Sequence, residues 1–213
     1  MYVPVHFREA DPTYIKNFIS RHAFATLVSS DDVRPMATHL LMDVRETADS
    51  KMILAGHIAR SNPLWKTFGS GREVLAVFSG PHAYVSAGWY SIKSAPTWNY
   101  INVHVYGLPR LIQERAELYD LLKRLVDGQE RNEPEADRYR IEDLPGNTLE
   151  TMMASIVGFE IEVTEVAAAA KLSQNRSARD YDTIMEKLIK RGDHGSVDVA
   201  REMQLRRPEK GVE

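Results

Sequence analysis

The sequence predicts an α+β chain, an antiparallel sheet or barrel with helices at its periphery, and three features of the pattern point there. Strand-like segments come as neighbours joined by short polar turns, as in residues 24–29 and 35–43 around Ser30-Asp31-Asp32. Two stretches, 102–107 and 156–163, alternate apolar and polar residues with a period of two, so one face of each is buried. Strand-helix-strand alternation, the mark of a parallel doubly wound sheet, is missing until the end of the chain.

An extended MYVPVHF opens the chain, and Asp11-Pro12 then supplies a cap and a first-turn proline. Ile15, Phe18, Ile19 and His22 fall on one face of a helix that ends before Ala23. The hairpin 24–43 follows, then a polar loop at 46–50 and an apolar run at 52–55 that reads as a buried strand. Ser61-Asn62-Pro63 reads as the start of a helix that Gly69 ends. Residues 74–78 form a strand stopped by Ser79-Gly80-Pro81, and 82–86 is either a second strand or the same one after a bulge. A loop rich in large rings spans 89–100, and the alternating strand from 102 runs on through Leu111-Ile112. Residues 114–131 are an amphipathic helix with Leu118, Leu121, Leu122, Leu125 and Val126 on one stripe. After a charged loop at 132–145 come a helix at 148–154 and the strand 156–163, with acidic residues on its outer face. KLSQNRS, 171–177, leads into a helix that stripes Tyr181, Ile184, Met185, Leu188 and Ile189. A single domain thus spans 1–192, and 193–213 reads as a mobile mixed-charge tail.

Composition narrows the function classes. At 213 residues and 43% hydrophobic content the chain can bury an ordinary core. A net charge of -3 gives no global attraction to nucleic acid or acidic membranes. Zero cysteines exclude disulfides, thiolate metal sites and a Cys nucleophile. With no basic start, no apolar leader and no run near the ~20 apolar residues of a membrane span, a cytoplasmic location is expected. No Gly-x-Ser-x-Gly elbow, Walker loop or Gly-x-Gly-x-x-Gly is present. His22, His39, His57, His82 and His104 show no His-x-x-x-His spacing, so no metal site is expected.

One stretch stands out as a place for chemistry, MILAGHIARSNPLW at 52–65. Read as a strand giving way to a helix, it puts His57, Arg60 and Ser61 at a helix N-terminus, where free backbone N–H groups and the helix dipole favour an anion. Arg offers a planar fork of donors, Ser a hydroxyl and His a ring N–H, which together suit a phosphate. The same residues equally fit a plain helix cap with Pro63 in the first turn and Arg60 as a surface charge.

GHIARSNPLW, GPHAYVS, PTWNY followed by VHVYG, IVGFEIEV and KLSQNRS, in this order, resemble the PaiB-type family of FMN-binding, transcription-regulating proteins, and the likeness runs from MYVPVHF to about Ile189. The resemblance implies a six-stranded antiparallel split barrel like that of pyridoxamine-phosphate oxidase and flavin reductases, working as a homodimer with FMN in the subunit interface. In the oxidase branch, an Arg at the start of the second strand and a Ser-Arg-Lys group after the third hold the phosphate. Arg60-Ser61 stands in the place of the latter, slightly offset and with no Lys directly following. Residues 35–41 stand in the place of the second strand, with Thr38 and His39 where flavin-ring and phosphate contacts fall. The set placed near FMN is Thr38, His39, His57, Arg60, Ser61, Lys171, Gln174 and Asn175, with Arg176 beside them.

Several of these have a plainer reading. Ser173 or Asn175 can cap the last helix. Trp89, Trp98 and Tyr100 fit core or dimer packing ahead of flavin stacking, and His82 and His104 fit satisfied buried or edge positions. Acids outnumber Lys and Arg by 30 to 27, and no helix-turn-helix or zinc-finger pattern is seen, so direct DNA binding is not expected. Lys187, Lys190, Arg191, Arg201, Arg206 and Arg207 are the one basic patch, with a solvated helix face as its default explanation. Three functions follow in order: a flavin-binding sensor or regulator, a flavin-dependent oxidoreductase using NAD(P)H or a small molecule, and a haem-binding or haem-degrading protein.

Overall fold

A computed structural model describes residues 1–31 and 33–207. Seven strands form one antiparallel sheet: β1 (Arg8–Glu9), β2 (Phe24–Ser30), β3 (Pro35–Glu46), β4 (Met52–Ala59), β5 (Val74–Val85), β6 (Thr97–Ile112) and β7 (Ile156–Lys171). Their order is β1-β7-β4-β3-β2-β5-β6, and a further β7–β6 pairing closes six of them into a ring with β1 outside it. The expected α+β chain is therefore an antiparallel split barrel with peripheral helices. Closure leaves the ring without a free edge.

The helices are α1 (Pro12–Arg21), α2 (Arg115–Glu130), α3 (Gly146–Ala154), α4 (Ala178–Arg191) and α5 (His194–Leu205). The chain divides into two compact units, one of residues 1–18, 79–103 and the chain from Ala167, the other of 19–78 and 104–166. In the second unit Leu27, Leu54, Phe78, Phe159 and Ile161 are fully buried. A separate apolar layer of Ala55, Ile112, Leu121 and Leu125 lies under α2, with Leu41 and Leu118 packed against it. β4 therefore buries both its faces from Ile53 to Gly56, which is why the sequence there shows an unbroken apolar run. Two glycines permit close packing: a Cβ on Gly107 would stand 2.3 Å from the Glu162 carbonyl oxygen, where two backbones approach, and one on Gly158 would stand 2.7 Å from Cδ1 of the Leu118 side chain that packs over it. In the first unit Phe18, Tyr181, Ile184, Leu188, Val199 and Met203 make the core, and Gly80 admits the Phe18 ring.

Several elements differ from the sequence expectation, each for a physical reason. The helix expected from Ser61 to Gly69 is one 3-10 segment, Pro63–Thr67, capped by Asn62, whose Oδ1 accepts the Leu64 N–H at 3.0 Å. β4 continues through His57, which pairs with Gly158 of β7, so the anion corner has neither a full helix nor its dipole behind it. β5 is one strand through Gly80-Pro81; Pro81 lies beyond the Leu75–Val77 stretch paired with β2. β6 starts at Thr97 and takes in Trp98 and Tyr100, and β7 runs eight residues past Val163 through an Ala-rich segment that β1 pairs at Ala168 and Ala169. Glu160 and Glu162 share the outer face, opposite Ala55 and Ile53, as expected, but Glu160 is buried there, bonded to Arg45 and accepting from Arg110 Nη2 at 2.8 Å, whereas Glu162 is exposed and pairs with Lys51 at 3.1 Å. Residues 194–205, expected in a mobile tail, form α5; the remainder of that tail, 208–213, and Asp32 of the expected turn lie outside the described residues.

Candidate functional site

Five of the eight expected site residues lie in the second unit and three in the first. In the second unit the end of β4 turns back on itself, with Asn62 N–H donating to the Ala59 carbonyl at 2.9 Å. Asn62 Nδ2 donates to Thr38 Oγ1 at 3.1 Å, tying this turn to β3. Sequence reasoning treated Asn62 only as a cap; its position beside Ser61, with an amide able to bond two ways, was the signal for the second role. Arg60 is exposed but engaged: Nε and Nη2 donate to the carbonyls of Ala154 and Ile156, both at 2.8 Å. Its own carbonyl accepts the Trp65 indole N–H at 2.9 Å. Ser61 is exposed beside it.

Thr38 and His39 point to opposite faces, because neighbours in a strand alternate. Thr38 pairs with the fully buried Leu27 and faces inward; His39 pairs with Thr26 and is exposed, its ring 6.1 Å from that of Phe24. His57 shares the outer face with Ala55 and stands opposite Gly158. Its Nδ1 is buried with no hydrogen-bond partner among the described residues, and burial pushes its pKa down from the ordinary imidazole value. Thr38 and the two histidines therefore do not converge on one side of the sheet.

Two cavities border this region of the second unit. One, about 360 Å³, lies between the end of the β2–β3 hairpin and the 3-10 segment, and Lys66, Ser70 and Arg72 line it with Met36 and Pro63. The other, about 380 Å³, lies between β3 and α2, where Arg124 Nε donates to Asp43 at 3.0 Å.

In the first unit KLSQNRS is a closed turn. Lys171 Nζ donates to Thr97 Oγ1 at 2.6 Å, and Gln174 uses both ends of its amide, accepting from Leu172 N–H at 2.7 Å and donating to the Ala170 carbonyl at 2.7 Å. Ser173 takes a left-handed backbone, φ 63°, and donates to the fully buried Asn99. Asn175 is exposed, and the cap of α4 is Ser177, which accepts from Asp180 N–H at 3.2 Å, rather than Ser173 or Asn175. Arg176 lies over the Tyr90 ring at 4.2 Å. Trp98 is exposed on β6 with the His82 and Tyr84 rings against it, so it is not a core residue. The basic patch is largely spent on neighbours: Arg201 pairs with Asp198, Arg206 with Glu9 and Arg207 with Asp182, while Arg191 donates to the Tyr84 carbonyl. Among the described residues no metal-binding group of His, Asp and Glu is present, and no helix is long and apolar enough to cross a membrane.

Comparison with known proteins gives three kinds of likeness. Residues 1–165 match the family model described as "Putative FMN-binding domain". The protease synthase and sporulation protein PAI 2 of Bacillus subtilis is 38% identical over 188 residues, 88% of this chain and 89% of that protein. An uncharacterised protein of Saccharomyces cerevisiae is 28% identical over 163 residues, 66% of this chain and 96% of its own length. Among solved structures, the flavocytochrome Anf3 of Azotobacter vinelandii superposes with a TM-score of 0.59 at 17% identity, covering 85% of this chain and 78% of its own. The FAD and haem binding protein of Mycobacterium smegmatis does so with 0.56 at 14% identity, covering 87% and 80%. At such identities these two speak for the fold alone.

Proposed function

The chain belongs to the family of FMN-binding domains, and on that premise we propose that it is a flavin protein that holds FMN and acts, in the PaiB manner, as a flavin-linked regulator working as a homodimer. The observation that carries this reading is the family match over residues 1–165 together with the 38% identity to the Bacillus protein. The residues present fit such a group. His57 keeps a buried ring nitrogen without a partner among the described residues, and the 3-10 segment after β4 carries Lys66, a cation that can serve a phosphate, while the Arg60 fork and the Asn62 amide hold the turn in shape. Bound flavin would supply a redox-active ring system, while these side chains bind and orient it. The internal pairing of the tail arginines favours a regulator that acts without reading DNA itself.

The test is FMN titration of the purified chain, followed by absorbance and thermal melting. A yellow complex with a raised melting temperature is expected; a colourless protein whose melting is unmoved by excess FMN overturns the reading. An NAD(P)H oxidation assay on the loaded protein separates regulator from reductase, the regulator giving no turnover above free flavin.

A further inference from the structure

The turn at 171–177 spends its polar groups inside the first unit, and what it grips is the segment that leads into β6. Residues 91–96 lie between a 3-10 turn, Ala87–Trp89, and the start of β6, outside any helix or strand, and all six are exposed. Ile92 is 70% exposed. Three grips hold this segment down. Lys171 Nζ donates to Thr97 Oγ1 at 2.6 Å where β6 begins. Arg176 lies over the Tyr90 ring at 4.2 Å and donates from Nη1 to Ser94 Oγ at 3.1 Å, so one guanidinium fastens two points of the segment. Asp180, buried at the start of α4, accepts the Ser91 N–H at 2.8 Å. The turn that carries Lys171 and Arg176 is itself fixed, because Ser173 keeps its left-handed φ of 63° while its hydroxyl donates to the fully buried Asn99 at 3.0 Å.

One group at the root of the segment is left unpaired. Tyr90 is only 9% exposed, and its hydroxyl is buried with no hydrogen-bond partner among the described residues. A buried O–H without a partner raises the free energy of the packed arrangement, since water satisfies the group as soon as it reaches it. Two tendencies therefore oppose each other at 90–96. Arg176 and Asp180 favour the packed arrangement, and the Tyr90 hydroxyl favours its opening. A ring contact and one neutral hydrogen bond make a modest clasp, so the segment can open locally while the core of the unit stays folded.

We propose that residues 91–96 form a strap that opens and closes on the folded chain, with the Arg176 guanidinium as its clasp and the unpaired Tyr90 hydroxyl as the group that biases it toward opening. Opening wets Tyr90 Oη and frees the guanidinium from its ring and from Ser94, so the open chain presents a phenol and an arginine that the closed chain keeps engaged. The strap needs no flavin to work.

The experiment is trypsin cleavage after Lys93, within the strap, on the full folded chain, at trypsin concentrations where the rate follows the open population and with the cut located by mass spectrometry. Arg176→Ala is expected to speed this cut about tenfold or more, and Ser94→Ala to speed it less, because only one of the two clasp contacts is lost. Tyr90→Phe keeps the ring under Arg176 and removes the unpaired hydroxyl, so it is expected to slow the cut about fivefold or more. That sign separates a biased strap from plain structural support, since losing a bonded hydroxyl would speed the cut. Hydrogen exchange at the Ser91 amide is expected to follow the same order among the variants. Thermal melting checks that each variant is folded. A wild-type rate after Lys93 in Arg176→Ala, or in Ser94→Ala where Arg176→Ala does not fold, overturns the strap. So does a Tyr90→Phe chain that is cut as fast as the wild type or faster.

Discussion

His57 shows how one residue couples fold and site. Its imidazole is half-buried on the outer face of β4, with a ring nitrogen that has no partner among the described residues, so burial favours the neutral form and the pKa lies below its ordinary value. The unfolded chain takes up a proton near the ordinary value of about 6.5 while the folded chain resists it. Stability from this residue is therefore fully present above about pH 6.5 and is lost as pH falls below it toward the folded pKa. His104 shifts the same way, its pKa lowered first by burial, so both contribute to one acid-side slope. Urea unfolding between pH 7.5 and 5 is expected to show falling stability, with His57→Gln flattening the curve. A wild-type stability that rises on acidification refutes this assignment.

At the scale of elements, Arg60 fastens one segment to another. Its planar fork meets two carbonyls, Ala154 at the end of α3 and Ile156 at the start of β7, while its own N–H donates to the Ser155 carbonyl at 2.8 Å. The α3–β7 junction is thus held to the end of β4 by three bonds from one residue. Arg60→Ala is expected to lower the stability of the flavin-free chain by about 1–2 kcal/mol, and Arg60→Lys to recover little, because a point charge cannot serve two carbonyls in the fork geometry. Denaturant midpoints at constant m-value measure this. An unchanged flavin-free stability with weakened FMN affinity would return Arg60 to the ligand-binding role its sequence context implies.

The same scale shows what was legible in the chain. The hairpin around Ser30, the α2 stripe and the alternations at 102–107 and 156–163 were readable because burial there follows one period. The second half of β7 was not: VAAAA has the composition of a helix, and only pairing with β1 and closure of the ring make it a strand. The helix expected after Ser61 shrank to one 3-10 segment because cap, proline and glycine mark a turn as well as a helix start. For the site, residue types were legible and directions were not. Thr38 and His39 are adjacent in sequence yet face opposite sides, and Gln174 is consumed by its own turn.

For the whole molecule the decisive element is the helix that follows Gly192. Charge alternation after Gly192 resembles a solvated tail, yet Gly192 ends α4 in the left-handed conformation and Asp193 at once caps the next helix by accepting the Ser196 N–H at 2.9 Å. α5 then buries Val199, Ala200 and Met203 and offers the Met203 carbonyl to the Tyr181 hydroxyl at 2.6 Å. Glu202 accepts from Tyr14, and Arg206 pairs with Glu9 while lying over the Tyr14 ring. Burial pushes the Tyr181 pKa up to about 12. A chain stopped at Gly192 loses two fully buried large side chains, Val199 and Met203, each worth about 1.5–3 kcal/mol. It also opens the environment that holds the Tyr181 proton. The expected result is a melting temperature lower by several degrees and a tyrosine whose absorbance titrates near the ordinary value of about 10 instead of about 12. Tyr181→Phe in the full chain identifies the titrating ring. If the shortened chain melts with the full one and its tyrosine titration is unchanged, α5 contributes nothing to the fold, and the tail read from charge pattern alone is the better description.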